Sequence, residues 1–288
     1  GCNASISNDN TGAPSYCGGS TTVTWTVTSD CEGDVTCSST FTVDPAPAVT
    51  LTCPTPVTEG SCQDQATIDA AFSAWLSTVS WGGGCGAYLS TTPATPSAPS
   101  YCGGSTTVLW TVTSECEGDV TCSSTFTVEP APAVSLICPA LATEASCQDQ
   151  ATIDAAFSAW LGSVSWGGGC GANLSTIPAI PSAPSYCGGS TTVLWTVTSE
   201  CEGDVTCSST FTVDPAPAVS LTCPTPATEA ACQTQSAIDA AFATWLSSVS
   251  YSGGCNATIS NDNTGAPSYC GGSTTVTWTV TSDCEGDV

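Results

Sequence analysis

The sequence contains no lysine, arginine, histidine or methionine in 288 residues. Each absence removes a class of chemistry. Without histidine there is no imidazole general base and no histidine-bearing zinc site. Without lysine there is no Schiff base, and without lysine or arginine there is no clamp on a phosphate. The 25 Asp and Glu residues stand unopposed, for a formal net charge of -25. A nucleic-acid backbone, whose binding rests on Lys and Arg displacing counterions, would repel such a chain. Anionic membrane headgroups would repel it likewise. No apolar run approaches the ~18 residues of a membrane span. No initiator Met or charged leader opens the chain, so the sequence reads as an excerpt of something longer.

What is abundant is cysteine, 21 in 288. In a chain without histidine this reads as a disulfide scaffold made in an oxidising, extracellular compartment. The cysteines repeat. Tyr-Cys-Gly-Gly begins at Tyr16, Tyr101, Tyr186 and Tyr269, at spacings of 85, 85 and 83, and residues 1–35 reappear at 254–288 with Ser5 replaced by Thr258. A full unit carries six cysteines, the first set being Cys53, Cys62, Cys85, Cys102, Cys116 and Cys122. The connectors Asp44-Pro45-Ala46-Pro47-Ala48, Glu129-Pro130-Ala131-Pro132-Ala133 and Asp214-Pro215-Ala216-Pro217-Ala218 are short, and their alternating prolines favour extended backbone. The expected division is the closing part of one repeat at 1–46, complete repeats at 47–131 and 132–216, and a repeat without its last strand at 217–288.

Within a unit, residues 107–113 alternate Val108, Trp110 and Val112 with Thr, Leu and Thr, the period-two signature of a half-buried strand. Residues 124–128 repeat the pattern with Phe126 and Val128, and residues 49–53 supply an opening strand. From Ser61 the period changes. Ser61-Cys62-Gln63-Asp64 reads as a capping box, and Ile68, Phe72, Trp75, Leu76 and Val79 follow at steps of three and four, predicting an amphipathic helix that stops before Trp81-Gly82-Gly83-Gly84-Cys85. The expected fold is all-β: tandem immunoglobulin-like β-sandwich domains, each with a short inserted α-helix, rich in disulfides and arranged as a rod.

Three stretches carry a family resemblance: Cys53-Pro54 closing the first strand, residues 107–113, and residues 121–128, Thr-Cys-Ser-Ser-Thr-Phe-Thr-Val. Each unit resembles a hyalin-repeat (HYR) domain, an immunoglobulin-like extracellular module. The tandem array with its helical insert is similar to very large secreted surface adhesins of gliding Bacteroidota. That resemblance implies adhesion or a structural stalk and no enzymatic activity. Spacing alone leaves 15 connectivities for six cysteines. The family pattern implies Cys53 with Cys122 and Cys62 with Cys85, which leaves Cys102 with Cys116. Carried along the chain, it gives Cys138 with Cys207, Cys147 with Cys170, Cys187 with Cys201, Cys232 with Cys255, Cys270 with Cys284, and Cys17 with Cys31. The rival arrangement joins Cys37 to Cys53 across the linker.

Two groups are candidate ligand sites. Glu115, Glu117 and Asp119 could offer oxygens to calcium, against the reading of a solvated acidic turn. Trp81, beside the triple glycine, could stack on a sugar, whereas Trp75 and Trp110 belong to apolar stripes. No other cofactor is expected. The function expected is a tension-bearing segment of an extracellular filament or stalk that displays a distal adhesive part, in surface adhesion or gliding motility. The alternative makes the repeats themselves carbohydrate- or surface-binding modules, assisted by calcium. The expected partners are neighbouring repeats of the same chain, with surface glycans or a substratum beyond them, and neither nucleic acid nor an inserted membrane.

With no Lys or Arg, trypsin has no cleavage site, so native and reduced chains should both survive it intact on a gel. Fragmentation of the reduced chain by pure trypsin would contradict the sequence itself.

Overall fold

Alternation of Val and Trp with Thr sets the long central strand of each complete repeat, and the helical segment covers its apolar face. The computed structural model describes residues 2–288. Gly1, first residue of the expected segment 1–46, lies outside the described residues. The chain forms two units, Gly1–Pro132 and Ala133–Val288.

In the first unit, β1 (Ser5–Asn8), β2 (Gly19–Ser29) and β3 (Glu32–Val43) make an antiparallel sheet in that order. After the linker come β4 (Thr50–Thr52), β5 (Val57–Glu59), α1 (Gln65–Leu76), β6 (Ser80–Gly82), β7 (Tyr88–Thr92), β8 (Gly104–Thr113) and β9 (Val120–Val128). They build a four-stranded sheet in the order β5-β9-β8-β7, in which β5 runs parallel to β9, and a two-stranded sheet β4-β6. Val108, Trp110 and Val112 of β8 point inward and are buried, while Leu109 between them is 38% exposed. Ile68, Phe72 and Trp75 of α1 cover that face. The Phe72 ring meets Phe126 edge-on with centroids 5.3 Å apart, and Trp75 meets Trp110 at 5.5 Å. Trp75 also donates its indole N–H to the Thr55 carbonyl at 2.8 Å, so the helix is fixed to the chain leaving β4. A disulfide from Cys53 to Cys122 joins the two sheets.

The helix starts three residues later than its expected capping box implies. Asp64, not Ser61, is the N-cap, accepting from the Thr67 amide at 2.7 Å and the Thr67 hydroxyl at 2.9 Å. Those bonds, the amide's first, hold the Asp64 carboxyl below its ordinary range.

The second unit repeats this plan with β10 (Ser135–Ile137), β11 (Ala142–Glu144), α2 (Gln150–Leu161), β12 (Ser165–Gly167), β13 (Asn173–Ile177), β14 (Gly189–Thr198) and β15 (Val205–Val213). Its inter-sheet bond is Cys138–Cys207. It continues into β16 (Ser220–Thr222), α3 (Gln235–Leu246), β17 (Ser250–Ser252), β18 (Thr258–Asn261) and β19 (Trp278–Thr281). Here the pairs are β16-β17 and β18-β19. The architecture is thus β-rich and immunoglobulin-like, with one short helix in each of three repeats.

Phe126 is fully buried. Phe126→Ala should therefore cost about 3–5 kcal/mol. Hydrogen exchange of the β8 amides reads the loss; a cost within ~0.5 kcal/mol would mean that Phe126 is not enclosed.

Candidate functional site: the junction between repeats

The linker is held at both of its ends. In the first unit the Ala46 amide donates to the Cys17 carbonyl of the preceding repeat at 3.0 Å. On the following repeat, the Gly84 amide donates to the Pro47 carbonyl at 2.8 Å, and the Val49 amide donates to a Glu117 carboxylate oxygen at 2.8 Å. Gly18 and Gly83 flank the path, both at positive φ, where a side chain is strained whatever the space. A Cβ on Gly83 would strike the Ala48 carbonyl, and one on Gly18 would lie 2.7 Å from the Pro45 Cα. A disulfide from Cys17 to Cys116 then closes the junction covalently.

The second unit contains the same junction around residues 214–219. Ala216 donates to the Cys187 carbonyl at 2.9 Å, Gly254 to Pro217 at 2.7 Å, and Val219 to Glu285 at 2.6 Å. Two disulfides cross it, Cys187–Cys284 and Cys147–Cys255. The Cys147 bond starts just before α2, at a residue with φ of 63°, and ends in the turn after β17.

Fourteen of the 21 cysteines are disulfide-bonded and seven are free. Cys53–Cys122 and Cys138–Cys207 are present as the resemblance implies. The remaining expected pairs need correction. Cys102 does not bond Cys116, because Cys116 is taken by Cys17, so Cys17 does not bond Cys31 either. Cys62 does not bond Cys85, which is free. Cys147 bonds Cys255 rather than Cys170, and Cys187 bonds Cys284 rather than Cys201. Cys232, Cys270 and Cys31, expected in disulfides, are free thiols, and so is Cys37, which excludes a Cys37–Cys53 bond. Cys62, Cys102, Cys170 and Cys201 are themselves disulfide-bonded. The reason is geometric. Cys102 and Cys116 flank the 10-residue strand β8, which at ~3.3 Å per residue holds its ends about 33 Å apart, whereas a disulfide needs Cα atoms within ~7 Å.

One member of the acidic trio, Glu117, makes a structural hydrogen bond. Glu117 caps the first amide of the following strand region, and its equivalents Glu202 and Glu285 do the same for Val134 and Val219. Glu115 accompanies the turn, where its amide donates to the Cys85 carbonyl at 3.0 Å. No group of three or more His, Cys, Asp or Glu side chains that could hold a metal ion occurs among the described residues. Trp81 pairs across from Leu51 in the β4-β6 sheet and is 42% exposed. No helix among the described residues is long and apolar enough to cross a membrane.

No protein-family model matches the sequence, and no curated protein matches it. Among solved structures the chain is similar to the I-band fragment I67-I69 from titin, with a TM-score of 0.25 and 9% identity over 74% of this chain and 88% of that one. It is similar to the protocadherin gamma B7 extracellular cadherin domains 1-4 at TM-score 0.29 and 10% identity, over 68% of this chain and 57% of that chain. Drosophila N-cadherin EC1-4 follows at 0.27 and 7%, over 68% and 57%. These are titin and cadherin fragments, not enzymes. At TM-scores this low the likenesses carry no argument about this chain, and the fold rests on its own strand topology. Neither the hyalin-repeat resemblance nor a gliding organism gains support from them.

Peptide mapping without reduction, with a protease that cuts after Glu, should recover Cys17–Cys116, Cys147–Cys255 and Cys187–Cys284. Recovery of Cys102–Cys116 instead would overturn the junction. Glu117→Ala should speed exchange of the Val49 amide several-fold while leaving the β8 amides unchanged.

Proposed function

We propose that the chain is a structural segment of an extracellular stalk or filament, in which repeats at 1–46, 47–131, 132–216 and 217–288 carry tension between an anchored part and a distal adhesive part. One observation carries this reading: disulfides run from one repeat to the next and span the linker. A pull reaching Cys17 crosses to Cys116, and the linker lies inside the bypassed stretch, whose ends are 99 residues apart. In the second unit the linker at residues 214–218 lies inside two such loops, closed over separations of 97 and 108 residues. Each of these linkers thus lies within a disulfide-closed loop that a pull can bypass. A scaffold also tolerates the near-identical copying of units, because no unit needs a site of its own.

A second reading rests on the half-exposed aromatics at equivalent places, Trp81 at 42%, Trp166 at 43% and Tyr251 at 41%. In that reading the repeats grip glycans directly. Loss of surface binding by a chain with all three changed to Ala, its disulfides intact, would favour it.

Single-molecule pulling separates a stalk from an ordinary tandem protein. Oxidised chains should show no unfolding steps at the junctions. After reduction, steps should approach the extended length of a repeat of 85 residues, about 290 Å at ~3.4 Å per residue. Long extensions without reductant would remove the load-bearing role.

A further inference from the structure

Each complete repeat carries one sheet face without charge. In β8 and β9 the odd-numbered residues from 105 to 113 and from 121 to 127 point away from the core, because Val108, Trp110, Val112, Phe126 and Val128 point into it. Every one of those outward residues is Ser or Thr except Leu109. On the same side β7 adds Tyr88, Ser90 and Thr92, paired with Thr113, Thr111 and Leu109. None of the acidic residues of 47–131 stands at an outward position of these three strands. In 132–216 the even-numbered residues from 190 to 198 and from 206 to 212 repeat the pattern, with Leu194 as the exception and Asn173, Ser175 and Ile177 alongside. A solvated strand face is an ordinary place for charge, so a chain of net charge -25 that leaves this one bare frees it from like-charge repulsion at close range.

The face also has an apolar centre. Leu109 lies between Thr92 and Ser123 and is 38% exposed. Its counterpart Leu194 lies between Ser208 and Ile177, which is 66% exposed. Hydroxyls surround both. Thr107 and Thr125 share a hydrogen bond across the strands at 2.8 Å, and Thr192 and Thr210 do the same. A hydroxyl has one proton to donate and two lone pairs to accept, so each such pair keeps an O–H and free lone pairs for a further partner. An apolar centre within a polar rim is the anatomy of a protein interface.

We infer that the outer face of β7, β8 and β9, and likewise that of β13, β14 and β15, docks on the same face of a second copy of this chain. Self-complementarity selects that occupant. A face that both donates and accepts satisfies its own copy in a two-fold contact, whereas carboxylate-bearing surfaces accept only and repel their own copies. Both sides have the same strand spacing, so their rows interdigitate as in stacked sheets ~10 Å apart. Strands of 5, 10 and 9 residues, at ~3.3 Å per residue and ~4.8 Å between strands, present roughly 400 Å² of plane. Two copies then bury about 800 Å² at one repeat, which belongs to the weak and reversible class of contacts. Screening favours the contact, because the remainder of both chains is acidic and the Debye length falls from ~10 Å at 0.1 M salt to ~3 Å at 1 M. The contact joins chains side by side, beyond the load-bearing reading, and its failure would leave the disulfide path through the junctions untouched.

The test is sedimentation of the whole chain over a range of concentrations, with its exposed free thiols capped by iodoacetamide so that no disulfide can join two copies. Self-association should be at least about tenfold stronger at 1 M than at 0.05 M sodium chloride. Leu109→Glu with Leu194→Glu should weaken it at least about tenfold, since each charge then meets its own copy. Ser73→Glu with Ser158→Glu adds the same charge on the exposed sides of α1 and α2, and at 1 M salt should leave association within about twofold. A milder pair, Leu109→Thr with Leu194→Thr, places at both centres the residue that Thr24 supplies at the equivalent position of β2, and should weaken association several-fold with the β8 and β14 amides still protected from exchange. A chain that stays monomeric at 1 M salt, association equally sensitive to both Glu pairs, or association indifferent to the leucines would each overturn the assignment. So would a monomeric chain that a neutral polysaccharide resin retains through Leu109 and Leu194, because the face would then have a different occupant.

Discussion

An extended strand keeps its two ends apart, and most of this structure follows from that constraint. Cysteines placed on either side of β8 cannot bond each other across roughly 33 Å of extended chain. Cys116, after β8, bonds Cys17 of the preceding repeat, and Cys187, before β14, bonds Cys284 of the following one. Placing a pair at the ends of a strand thus converts an intradomain staple into an interdomain one, as Cys17–Cys116 and Cys187–Cys284 show.

The chain has reason to need covalent junctions. Every charged side chain is acidic, so no ion pair between side chains can tie one repeat to the next, and neighbouring repeats repel one another. The core of a complete repeat is one small cluster, Ile68, Phe72, Trp75, Val108, Trp110, Phe126 and Val128 in the first case. A disulfide closing a loop of about 100 residues is worth ~4.7 kcal/mol in the chain-entropy picture, comparable to what so small a core supplies. The carboxylate of Glu117 shows how the acidic surface is used otherwise. It accepts from the Val49 amide where the chain leaves the linker, which gives that backbone donor its partner.

Several features were legible from residue order alone. Val108, Trp110 and Val112 at period two gave the strand, and Ile68, Phe72 and Trp75 at helical spacing gave the helix, because each pattern depends only on local geometry. Composition excluded cations and named the disulfide scaffold. The non-bonding of Cys102 and Cys116 was also within reach, since the strand between them was already evident. Their true partners were not. A cysteine's partner is set by which loops two folded domains bring within a few ångströms of each other, and the residues that decide this lie about 100 positions away. Glu117 reads as a solvated turn until the amide of Val49, 68 residues earlier in the chain, is seen against it. Local periodicity therefore determined the elements, and the docking of one repeat on the next decided which of their ends became covalent.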